Sequence, residues 1–162
     1  MKRVSLLALT VAVLAVAYAS AGHAAATGSV PKCPSHAPKF TSGFATTKDF
    51  VRPNAQVVRL CRYYKVNWAD SQGLWRQRLI ANAATISQLT RAFNRLHPPP
   101  RGIFCVKDDK SEMLLLFGYA GAGTERVVVK LSGCRFATDG RSTRSTTAAL
   151  HKRLLPLSNH RP

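Results

Sequence analysis

Two apolar runs, Met113–Tyr119 and Val127–Leu131, flank the turn-forming stretch Ala120–Thr124. Within the second run, Val127, Val129 and Leu131 fall on one side of an extended strand, and Arg126 and Lys130 on the other. A third short run, Ile103–Val106, precedes the first across Asp108–Ser111. This pattern predicts an antiparallel meander with one face buried and the other in water. Cys105 and Cys134 stand at its two ends, placed to staple the outer strands.

Upstream, Gln56–Tyr64 has the β-branched and aromatic content of a strand. A turn around Trp68–Gly73 and a returning strand over Leu74–Ala81 follow. Thr85 and Gln88 form a capping box that opens a helix, with Ile86, Leu89, Phe93 and Leu96 on one face and Arg91 and Arg95 on the other. Pro98-Pro99-Pro100 ends it. Beyond the meander come a turn at Thr138-Asp139-Gly140 and a short edge strand over Arg141–Arg144. A last helix, Thr147–Leu155, is capped by Ser145 or Thr146 and turns Leu150 and Leu154 inward. The order of elements predicts one α+β domain over residues 56–157, an antiparallel sheet with two helices packed on one face.

The ends have a different composition. Lys2 and Arg3, the apolar Val4–Tyr18 and the small residues up to Ala26 read as a secretory signal over residues 1–26. Residues 27–55 form an extended, Pro-rich arm (Pro31, Pro34, Pro38, Pro53), tethered at Cys33 and docked through Phe40, Phe44 and Phe50. Residues 158–162 are a polar tail.

Export gives the four cysteines a meaning, since an oxidising compartment turns such a set into two disulfides. Three pairings are open, and Cys33–Cys61 with Cys105–Cys134 is favoured because it closes two loops of similar length. Their Cα atoms must then lie within about 7 Å. On this reading Cys33–Cys61 merely ties the arm down, and Cys105–Cys134 carries most of the stability. No C-x-x-C spacing is present, so neither a metal nor a cofactor is expected.

A formal net charge of +17, mostly arginine, points to anionic partners: envelope polymers or nucleic acid. Arg59, Arg62, Arg76, Arg78, Arg126 and Lys130 lie on the predicted strands, interleaved with Tyr63, Tyr64, Trp68 and Trp75. Such an arrangement clamps phosphates and stacks rings. Nothing comparable suggests catalysis. Asp108 and Asp109 are adjacent on a hairpin tip, where neighbouring carboxylates diverge and stay wet. The histidines, His97 and His151 included, read as isolated surface residues, and neither H-E-x-x-H nor G-x-S-x-G occurs. The expectation is a secreted, non-catalytic binding module for anionic cell-envelope or extracellular partners.

The segments L-C-R-Y (Leu60–Tyr63), L-x-x-x-F-N-R-L (Leu89–Leu96) and L-S-G-C-R (Leu131–Arg135) resemble those of small secreted proteins of high-GC Gram-positive bacteria. That resemblance spans residues 56–155 and carries no functional residues over. The architecture is also similar to the secreted subtilisin-inhibitor family, in which a helix precedes a cysteine that opens a reactive loop. That likeness implies an alternative partner, a secreted serine protease, and an inhibitory loop with Lys107-Asp108 as its scissile bond. The loop reads C-V-K-D-D here, where that family carries C-P-x-x-Y-x-P.

Overall fold

The computed structural model describes residues 29–43, 49–65, 72–105, 108–121 and 123–159. Residues 1–26, read above as a secretory signal, Phe44, Trp68, Lys107 and residues 160–162 lie outside them. Eight elements follow in order: β1 (Val57–Lys65), β2 (Gln72–Ile80), α1 (Ala83–Asn94), β3 (Glu112–Gly118), β4 (Thr124–Lys130), β5 (Phe136–Thr138), β6 (Thr143–Ser145) and α2 (Ala148–Asn159). The strands form one six-stranded sheet, β2-β1-β3-β4-β5-β6. All five strand pairings are antiparallel. The fold is α+β.

Register decides which residues share a face. Leu60, Leu115 and Val127 are cross-strand neighbours, as are Met113, Val129 and Ala137. They point to the helices, where Ile86, Leu89 and Phe93 of α1 and Leu150 and Leu154 of α2 complete the main core. Phe93 joins the layers: Phe50 stacks on it at 6.2 Å, and it meets Phe117 edge-on at 6.0 Å.

The other face is not wet. Cys61, Tyr63, Leu114, Leu116 and Val128 form a second buried cluster, against which Val30, Cys33, Ala37 and Phe40 of the arm pack. Every residue of β3 is therefore buried. Its unbroken M-L-L-L-F run is what a strand covered on both sides requires. The arm reaches the end of β3 at Val30, where a Cβ on Gly118 would come within 2.7 Å of that valine's Cγ1. It is bonded through Cys33 to Cys61, pairs at His36 with Gly73 of β2, and returns to β5, where the Thr138 hydroxyl meets the Thr41 carbonyl at 2.8 Å.

Both disulfides pair as favoured, with Cα–Cα distances of 5.7 Å for Cys33–Cys61 and 4.8 Å for Cys105–Cys134. Their surroundings differ. Cys61 lies inside the second cluster with Cys33 packed against it, so that bridge fastens a layer of the fold. Cys105 sits in an exposed, irregular segment and Cys134 in a turn. The second bridge thus joins two loops, and residues 103–105 form no strand.

Local details also differ. Asn82, not Thr85, caps α1, its Oδ1 accepting from the Thr85 amide at 2.9 Å. Thr147 caps α2, accepting from the Leu150 amide at 3.1 Å. Helix α2 runs past Pro156 and buries Ser158, where the polar tail was expected to begin. His151 is buried too, with Nε2 2.6 Å from the Thr146 hydroxyl. Burial, and then the charge of Arg135, lowers its pKa below the ordinary histidine value.

Candidate functional site

Tyr63, Glu112 and Lys130 are cross-strand neighbours, and Lys65 pairs with Gln72. The end of β1, the starts of β2 and β3 and the end of β4 therefore share one end of the sheet. Arg62 pairs with Arg76 but Tyr63 with Leu74, which leaves Trp75 as an extra residue in edge strand β2. Such a bulge re-aims a side chain. Trp75 is half exposed, with the Arg62 guanidinium 4.7 Å and that of Arg76 4.3 Å from its ring centroid. The ring of Tyr64, also half exposed, is 6.3 Å away.

The two guanidiniums oppose each other electrostatically. Burial, and then the like charge of Arg76, lowers the Arg62 pKa below its ordinary value, while the Asp109 carboxylate raises it.

Register divides the six sequence-predicted cations between the two faces. Arg62, Arg76 and Arg78 lie on the helix side, because their cross-strand neighbours include Met113 and Leu60 of the main core. Arg59, Arg126 and Lys130 lie on the arm side, opposite or beside Leu116 and Glu112. Arg78 is committed to structure: its Nη1 donates to the Leu157 carbonyl at 3.3 Å, placing a cation at the negative end of α2. Lys130 forms an ion pair with buried Glu112 at 2.8 Å and lies over the Phe40 ring. Burial is the leading influence on Glu112 and raises its pKa, against the hydrogen bond and charge of Lys130. Arg59 is half-buried and Arg126 exposed. Of the six, only Arg62 and Arg76 converge on an aromatic ring.

The acidic pair departs from expectation. Asp108 and Asp109 do not diverge; each brings a carboxylate oxygen to 2.5 Å from the Ser132 hydroxyl. Burial disfavours the Asp109 carboxylate, but bonds from Ser111 and Ser132, with the charge of Arg62, outweigh it and lower the pKa. Among the described residues, no three His, Cys, Asp or Glu side chains converge as metal ligands.

Sequence reading missed Phe104. It is 97% exposed, two residues beyond Gly102 and directly before the Cys105 bridge, with Ile103 exposed beside it. The available signal was its position, two apolar residues caught between a proline run and a disulfide. A separate cleft of about 360 Å³ lies between α1 and residues 53–55, lined by Pro53, Ala55, Ile86, Thr90 and Arg91 among others. Arg91 there donates to the Ser87 hydroxyl at 2.6 Å.

Comparison with family models, with curated proteins and with solved structures yields no match to this chain.

Proposed function

We propose that this protein is a secreted, non-catalytic binding module for anionic cell-envelope or extracellular partners, with Arg62, Trp75 and Arg76 as its contact point. The observation that carries the reading is the pair of like-charged guanidiniums gathered on one exposed indole. Such a site rewards a ligand that brings negative charge and a flat or apolar surface together. Two disulfides agree with an exported chain, and among the described residues no helix is long and apolar enough to cross a membrane.

Salt titration of binding to a single-stranded oligonucleotide, a convenient soluble polyanion, tests the reading. With two or three phosphate contacts, affinity falls roughly tenfold between about 50 and 200 mM salt. Trp75→Ala should weaken binding, and Arg126→Ala should leave it unchanged. Salt-independent binding, or none, contradicts the reading. The alternative, a protease inhibitor acting at Lys107-Asp108, predicts instead stoichiometric trypsin inhibition that is lost in Lys107→Ala.

A further inference from the structure

Five large hydrophobic side chains are exposed among the described residues: Tyr64 (50%), Trp75 (48%), Leu79 (50%), Ile103 (41%) and Phe104 (97%). All but Leu79 belong to segments that meet one end of the sheet, although they come from three separate stretches of chain. Tyr64 and Trp75 lie where β1 ends and β2 begins. Ile103 and Phe104 reach the same end because Cys105 is bonded to Cys134, just beyond the end of β4. From β2, which carries Trp75, to β4, whose end leads to Cys134, is three strand spacings, about 15 Å.

The charges at this end are arranged to match. Arg62 and Arg76 flank Trp75, and exposed Arg101 and Arg135 lie near Phe104 in the chain and across the disulfide. The nearby Asp108 and Asp109 are exposed, but the protein's own donors engage their carboxylates, which leaves the cations in excess at this end. Asp108 accepts from the Lys110 amide and Asp109 from the Ser111 amide, both at 2.8 Å, and both meet Ser132. Glu112 is buried against Lys130.

We infer that this end of the sheet docks on an anionic phospholipid bilayer, with Phe104 and Ile103 entering the headgroup boundary and Trp75 and Tyr64 lying at its level. The inference rests on the proposed preference for anionic partners and names one. Nucleic acid would engage the Trp75 ring and the arginines, yet would leave Phe104 in water. A bilayer offers negative charge outside and apolar depth beneath, which matches a basic rim around a projecting Phe-Ile tip. Tryptophan and tyrosine suit the boundary between the two, each having an apolar body and a polar atom.

Sedimentation of the disulfide-intact protein with vesicles tests this. Binding to phosphatidylglycerol–phosphatidylcholine vesicles is expected, with little to pure phosphatidylcholine. Phe104→Ser, a change at a fully exposed position, should weaken vesicle binding about tenfold or more and leave oligonucleotide binding unaltered. Arg76→Ser should weaken both. Unchanged vesicle binding by Phe104→Ser overturns the inference. So does a protein that binds the oligonucleotide and ignores anionic vesicles, although the proposed anion site then stands. Failure to bind either probe removes both.

Discussion

The Tyr63 hydroxyl donates to the Pro34 carbonyl at 2.9 Å, so a fully buried side chain of β1 spends its one polar hydrogen on the arm. Beside it, Cys33 is bonded to Cys61 two residues earlier in the same strand. At this point the arm is held both covalently and by a hydrogen bond that satisfies a buried phenol. Tyr63→Phe should cost about 1 kcal/mol in denaturant unfolding, the usual net worth of such a bond. Burial, and then the Glu112 charge, pushes the Tyr63 pKa to about 12. Spectrophotometric titration should accordingly show a tyrosine that stays neutral well above pH 10; ordinary titration of every tyrosine would mean that the arm does not cover it.

The two disulfides close loops of nearly equal length, with sequence separations of 28 and 29. Chain entropy therefore values them alike, at about 3.5 kcal/mol each. Packing separates them. Serine at Cys33 and Cys61 uncouples the cover from Leu114, Leu116 and Val128 as well, whereas serine at Cys105 and Cys134 frees loops already in water. Comparative urea unfolding should show the larger loss for the first pair. Equal losses would mean that the arm contributes no packing.

Glu112 and Lys130 make a partly covered ion pair at 2.8 Å on the arm side of the sheet. Lys130→Met leaves a buried carboxylate without its cation, and a cost of about 3 kcal/mol is expected. Adding Glu112→Gln should return much of that loss, because the uncompensated charge goes with it. A double variant no better than the single one would contradict this account.

His151 should make the fold acid-sensitive. Its folded-state pKa is depressed while the unfolded chain has the ordinary value of about 6.5, so the unfolded state binds the proton first. Its contribution is complete above about pH 6.5 and is lost as pH falls through the folded-state value. The wild-type melting temperature should drop over that range, and His151→Gln should flatten that part of the profile. An identical slope in the variant would assign the sensitivity elsewhere.

Periodicity made most of the sheet and both helices legible. The apolar alternation of β4, the dense β3 run and the Ile86-Leu89-Phe93 stripe each point to one structure, and the cysteine pairing follows once the hairpin is drawn. The arm was illegible as a structural layer. Its prolines and polar residues show no period, and its burial comes from docking against a sheet face built elsewhere. Residues 103–105 had strand-like composition but no partner within reach, held as they are between three prolines and a disulfide. The division of the arginines was partly readable, since Arg59 and Arg62 differ in parity along one strand. The bulge that sets Trp75 between Arg62 and Arg76 was not, because it is a property of the pairing of two strands.

The most direct test is an NMR titration of the disulfide-intact protein with a short single-stranded oligonucleotide, read at the Trp75 indole N–H and at backbone amides. The account predicts shifts centred on Arg62, Tyr64, Trp75 and Arg76 that fade as salt is raised. Shifts centred instead on Arg59 and Arg126, or on the cleft beside Arg91, would contradict it, as would a spectrum that does not change.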